Sequence, residues 1–319
     1  METFKWTSSR EASGLLTRQQ SAWPLLRRNC VATEQTEVKQ LTSGNKSFAV
    51  QYNPSRIISV TADTAQRKSR SGCFLCTDNL PSEQEAMPMG ERMLLLCNPY
   101  PIFHRHFTVA SRLHLPQGLK ASFSDFLNTA KSLSEYVIFY NAPDSGASAP
   151  DHLHFQAVTP FRMPIERESY EYGGSVIKEY GKARMRMLLQ GNRSGFIIES
   201  TCDADAAALY NLLHIAIASY QNKFPEPRMN VFCKYSSEEG WRVLLIPRKT
   251  HRPSFFYAEG DGKILVSPGA ADVGGIIITP RREDFDKISA EHIETIFNEV
   301  CYHENDLCGI AEYKIPEAK

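Results

Sequence analysis

The sequence predicts an α+β protein made of two related halves. Three observations carry that expectation. Short apolar strands alternate with helical stripes along the whole chain. Charge rises and apolar periodicity fades over 165–190, as at a boundary. A faint echo links Arg112-Leu113-His114-Leu115-Pro116 with Lys249-Thr250-His251-Arg252-Pro253: each follows a strand, and a cation, a histidine and a proline fall at matching offsets. The halves are accordingly set at 1–170 and 171–319.

Residues 13–30 read as a helix, with Leu15, Leu16, Gln19, Trp23 and Leu26 on one side. Phe48 to Tyr52 alternates as a strand and stops at the turn signal Asn53-Pro54-Ser55. Met93 to Cys97 and Phe107 to Ala110 are short apolar strands. A helix over 121–138 buries Phe123, Phe126, Leu127, Ala130, Leu133 and Val137. A small-residue loop, Asn141 to Pro150, leads out of it. In the second half, Leu209, Leu212, Leu213, Ala216, Ile217 and Tyr220 mark a helix that ends before Pro225. Strands follow at Asn230 to Lys234, Arg242 to Ile246 and Gly275 to Thr279, and Ile293, Ile296, Phe297, Val300 and Cys301 form a last helical stripe.

Hydrophobic content of 42% and charged content of 23% fit a soluble globular chain with ample core at 319 residues. Lys+Arg and Asp+Glu both number 36. That balance argues against a sequence-independent nucleic-acid binder, which needs surplus cations to displace counterions. No apolar run reaches the ~20 residues that cross a bilayer. The start, Met1-Glu2-Thr3-Phe4-Lys5-Trp6, lacks the apolar core of a signal peptide. Eight scattered cysteines, with one close pair, point to the cytoplasm.

The chemistry is expected in Asp151-His152-Leu153-His154-Phe155-Gln156. On a strand, His152, His154 and Gln156 share one face while Leu153, Phe155 and Ala157 enter the core. A second motif is Cys73-Phe74-Leu75-Cys76, preceded by Ser71-Gly72. A CxxC turn supplies two ligands of a tetrahedral zinc site, and the other two would come from the five histidines of the first half: His104, His106, His114, His152 and His154. Four protein ligands leave no open position, so such a metal is structural. The plainer reading of the pair is two buried thiols or a redox couple.

On these residues the chain resembles the histidine-triad superfamily, in its galactose-1-phosphate uridylyltransferase branch of nucleotidyltransferases and phosphorylases. The branch's HxHxQ motif stands here as His152-Leu153-His154-Phe155-Gln156, and His-Leu-His-Phe-Gln-Ala looks most like GDP-hexose phosphorylases. The run from Pro101 to His114 resembles the strand that ends in a histidine, and Ser145-Gly146-Ala147-Ser148 is similar to a phosphate-contacting loop. The likeness covers about 48–160, with a weaker, degenerate repeat around Leu245 to Pro253 and Ser267 to Arg281. The uridylyltransferases carry proline where Leu153 stands, which sets this chain apart from them.

The resemblance implies two histidine-triad-like halves, each an antiparallel sheet with packed helices, the second lacking the motif. It makes Cys73, Cys76, His114 and His152 ligands of a structural zinc, His154 the nucleophile and Gln156 its partner. Asn53 and Arg56 would contact the nucleotide, and Asn141, Ser145, Gly146 and Ser148 the phosphates. The expected substrate is a nucleotide sugar, GDP-hexose first, or a dinucleoside polyphosphate, with phosphate or a sugar phosphate as acceptor. Neither nucleic acid nor membrane is an expected partner; a homodimer is implied by kinship, with no interface strip to place it. Gln156 separates reaction classes, because an amide cannot exchange protons near neutrality as the third histidine of the triad hydrolases can. A triad-type nucleotide hydrolase and a non-catalytic, zinc-stapled nucleotide-binding protein are the alternatives. Arg112, Lys249 and Arg281 are further phosphate-clamp candidates.

Overall fold

Alternation of side chains along each strand sorts this chain into two cores on opposite faces of one large sheet. The computed structural model describes residues 4–44, 46–61, 72–160 and 162–312; Met1 to Thr3 and Ser71, used above, lie outside them. The strands are β1 (Val38–Ser43), β2 (Lys46–Tyr52), β3 (Ala86–Met89), β4 (Met93–Cys97), β5 (His106–Ser111), β6 (Val137–Asn141) and β7 (His154–Val158). Beyond 170 come β8 (Gly173–Tyr180), β9 (Ala183–Leu188), β10 (Gly195–Ser200), β11 (Met229–Ser236), β12 (Gly240–Pro247) and β13 (Ile276–Thr279).

Ten of these form an antiparallel sheet in the order β3-β4-β5-β7-β6-β11-β12-β10-β9-β8, and β1-β2-β13 form a smaller one. The large sheet is a repeat. Read from either edge inward, each half runs first, second, third, fifth, fourth strand, with a helix between its third and fourth strands: Phe123–Ser132 in one half and Asp203–Tyr220 in the other. The halves meet where β6 pairs with β11, Asn141 opposite Asn230. One face packs Phe107, Val109, Phe155 and Ala157 against Phe126 and other helix residues. The opposite face packs Phe139, Val158, Phe232, Leu244 and Ile246 toward β2, β13 and the helix Ala290–Val300.

Several boundaries differ from the sequence reading, each for a local reason. The helix expected over 13–30 is two, Ser9–Ala22 and Pro24–Glu34. Trp23 is extended at φ −116° and ψ 99°, as steric conflict with a following proline requires. The helix expected over 121–138 is Phe123–Ser132; Val137-Ile138-Phe139-Tyr140 is a β-branched and aromatic run that fills a pleated surface better. The 165–190 stretch holds β8 and β9 at the sheet edge. Its apolar periodicity fades because β8 is mostly exposed. His152 lies in the bend before β7 rather than on the strand itself.

Candidate active site

β7 lies between β5 and β6, and its His154 and Gln156 belong to the face that carries Phe139 and Val158. His154 is 3% exposed. Its Nδ1 lies 2.8 Å from the backbone carbonyl of His152. A carbonyl only accepts, so Nδ1 carries the proton and Nε2 keeps its lone pair. Burial, outweighing that hydrogen bond, holds the imidazole neutral by lowering its pKa to about 4.

Two residues that the sequence left without a role hold this strand. The β6–β7 ladder ends at Phe139 opposite Gln156, and continuing its register would pair Asn141 with His154. Instead, Gln117 enters the gap. Its Oε1 accepts from His154 N at 2.8 Å, and its Nε2 donates to the carbonyls of His154 and Asn141 at 2.9 Å each. The strands therefore part at His154, opening the sheet at the residue expected to react. His106, on β5, is 1% exposed; its Nε2 reaches Gln156 Oε1 at 2.7 Å and its Nδ1 accepts from Ile102 N at 3.1 Å. No periodicity announces either contact, since Gln117 bonds backbone groups 24 and 37 residues away.

The loop after β6 is built from both halves. Asn141 Oδ1 accepts from Asn230 Nδ2 and from Ala270 N, both at 2.7 Å. Asn230 Nδ2 also donates to the Ser145 carbonyl at 2.8 Å, and its Oδ1 accepts from the buried Arg248 at 2.7 Å. Gly146 is required where it stands: φ is +95°, and a Cβ would lie 2.5 Å from Gly269 Cα. The Ser145 hydroxyl is buried and finds no partner among the described residues. Ser148 is exposed. Asn53 follows β2, where its Oδ1 accepts from Ser55. Arg56 donates to the Tyr100 carbonyl at 3.3 Å, and its charge helps to depress His106. β2 thereby carries both residues toward the loop between β4 and β5.

Cys73, Cys76, His114 and His152 converge, their ligand atoms all within 4.8 Å of one another. The Cys73–His152, Cys76–His114 and Cys76–His152 sulfur–nitrogen separations are 3.3, 3.3 and 3.6 Å. The sulfur–nitrogen edge of a zinc tetrahedron is about 3.5 Å from its bond lengths, so the set fits such an ion. Each ring turns Nδ1 inward. His152 Nε2 donates to the Ser111 carbonyl at 2.8 Å, and His114 Nε2 lies 3.6 Å from Asp151. The His152–Ser111 bond is the kind of outer contact that orients a ligating imidazole. Leu75, Leu96, Ala110 and Ala149 surround the cluster.

Arg281 is held by Asp284 and Glu283, Lys249 pairs with Asp306, and Arg112 is exposed. His104 pairs with Glu34 at the surface, and His214 with buried Glu226. No helix among the described residues is long and apolar enough to cross a membrane.

Two family models match the chain: Domain of unknown function (DUF4922) over 15–159, and GDPGP1-like, C-terminal domain, over 192–315. No curated protein matches it by sequence. Among solved structures, yeast Ap4A phosphorylase Apa2 in complex with AMP is similar with a TM-score of 0.56 at 15% identity, over 88% of this chain and 97% of that one. The same enzyme in complex with Ap4A gives 0.54 at 14% identity, over 87% and 96%. The chain therefore shares its fold with that phosphorylase, and over 192–315 it matches the GDPGP1-like C-terminal domain.

Proposed function

We propose that this protein is a nucleotidyltransferase or phosphorylase that works through a covalent nucleotidyl-histidine on His154. The observation that supports it most is the orientation of that ring: with the proton held on Nδ1 by the His152 carbonyl, Nε2 keeps the lone pair a nucleophile needs. Gln156, two residues on, offers an amide to a non-bridging phosphoryl oxygen.

His154 Nε2 attacks the α-phosphorus of the donor. A nitrogen–phosphorus bond forms, and the bond to the bridging oxygen breaks, with the electron pair leaving on a sugar phosphate or nucleoside phosphate. Phosphate, or a sugar phosphate, then attacks the same phosphorus and returns the lone pair to Nε2. From a GDP-hexose the products are hexose phosphate and GDP; from Ap4A they are ATP and ADP. The GDP-hexose reading rests on the His-Leu-His-Phe-Gln-Ala string, and the Ap4A reading on likeness to a phosphorylase solved with AMP and with Ap4A. Asn141, Ser145 and Gly146 bind phosphates in this reading, the unpaired Ser145 hydroxyl being a ready donor; Asn53 and Arg56 contact the nucleotide. Zinc, held by Cys73, Cys76, His114 and His152, supplies structure rather than Lewis acidity, because its four ligands close the shell.

Incubation with α-32P-labelled GDP-hexoses and Ap4A tests this. Acid-labile label is expected on the wild-type chain and not on His154→Ala, and phosphate should discharge it. Absence of label from every donor would sink the proposal.

A further inference from the structure

We infer that His106 is the positioning residue that dictates which end of the Gln156 amide faces the reacting phosphoryl group. This rests on His154 being the nucleophile. A glutamine amide can present either oxygen or N–H after a half-turn about its last bond, and at this position the two have opposite effects. An outward carbonyl would set a negative dipole against an anionic phosphoryl oxygen, whereas an outward N–H donates to it.

The polarity is fixed by a backbone group two bonds of the network away. Ile102 N–H can only donate, and it points at His106 Nδ1 at 3.1 Å. Nδ1 is therefore the unprotonated nitrogen, and a neutral imidazole must carry its hydrogen on Nε2. That N–H lies 2.7 Å from Gln156, so the amide must meet it with oxygen and turn its NH2 away. Asn98 does not compete. Its Oδ1 accepts from Tyr100 N at 2.9 Å, which makes Nδ2 a donor; Nδ2 lies 3.4 Å from both His106 Nε2 and Thr108 Oγ1, and with Nε2 protonated it serves the Thr108 oxygen, leaving the shorter 2.7 Å contact to Gln156. The Gln156 NH2 makes no hydrogen bond among the described residues. Phe103 and Phe139 pack around the His106 ring, with centroids 6.2 and 6.3 Å away. They hold it where its N–H faces Gln156. Gln51 secures the other end by donating to the Ile102 carbonyl at 3.0 Å.

The test is single-turnover labelling of the full chain with α-32P-labelled GDP-glucose and Ap4A, across four variants. His106→Phe keeps a ring but loses the donor, and Gln156→Ala loses the acceptor. Each should slow labelling on the order of 100-fold, the size expected for one lost donor to a developing anion. The double variant should be no slower than Gln156→Ala alone. His106→Gln, whose amide nitrogen replaces Nε2, should recover most of the rate. Losses that multiply in the double variant, or a His106→Gln as slow as His106→Phe, would overturn the inference while leaving the covalent reading intact. No label on the wild-type chain would remove both. If His106→Phe fails to fold, nitrogen-15 NMR of the wild-type imidazole decides: a proton on Nε2 supports the assignment, and one on Nδ1 rejects it.

Discussion

Gln117 does with a side chain what a neighbouring strand does with its backbone. One amide satisfies the N–H and C=O of His154 and the C=O of Asn141, at 2.8, 2.9 and 2.9 Å. Buried main-chain groups left unpaired are costly, so Gln117→Met, of similar length but unable to bond, is expected to lower stability by about 3 kcal/mol. Urea unfolding measures it, and a loss below about 1 kcal/mol would show that water or a strand rearrangement takes the place of the amide. Labelling of His154 should fall in the same variant, because the ring depends on the backbone that Gln117 holds. At this scale the sequence was legible wherever side-chain spacing carried the signal. The HxHxQ pattern set His154 and Gln156 together because a strand repeats every two residues. Gln117 and His106 were not legible, since their partners are backbone groups brought near by the fold.

The Cys73–Cys76 turn and the bend at His152 form an element without a helix or a strand to define it. Its thiols and imidazoles come from three separate stretches, and the small apolar cluster beside them is Leu75, Leu96, Ala110 and Ala149, with partly buried Leu80 against it. So little apolar surface gives weak closure, and a bound ion is expected to supply the rest. The full chain should carry one zinc by elemental analysis; removing it with a chelator, or Cys76→Ser, should lower stability by more than about 3 kcal/mol. A chain that purifies without metal and melts unchanged after chelation would contradict that. Spacing alone named Cys73 and Cys76; the resemblance supplied His114 and His152, and the structure brings the four together. Elsewhere, element limits failed where period and propensity disagreed. Trp23-Pro24 divides a continuous apolar stripe, and Val137 continues a helical stripe while opening β6. β8 left no pattern to find, because an edge strand exposed on both faces has no apolar alternation.

The repeated strand order shows where the two halves differ: one carries the candidate site and the other packs beneath it. β12 occupies in its half the place β7 has in the first, and on the matching face it sets Leu244 and Ile246 into the core instead of His154 and Gln156. The second half contributes Asn230 and Arg248 beneath the Asn141 loop instead. The echo between 112–116 and 249–253 joins strands that are not equivalents, since β5 corresponds to β10 and not to β12; the repeat lies in topology, where residue matching could not reach it. Folding this molecule also sequesters His106 in neutral form, chiefly by burial, which lowers its pKa to about 3. In the unfolded chain a histidine takes up its proton near pH 6.5. Between those values the unfolded state binds the extra proton, so stability rises with pH and falls as pH drops from about 6.5 toward 3. His106→Phe removes that linkage. Every other group acts on both proteins alike and cancels in the difference. The stability gap between wild type and His106→Phe should therefore shrink by roughly 2 kcal/mol from pH 6.0 to pH 4.5 in urea titrations. A gap that stays constant would mean that native His106 accepts a proton as readily as an exposed histidine, which it can do only by releasing the Ile102 N–H.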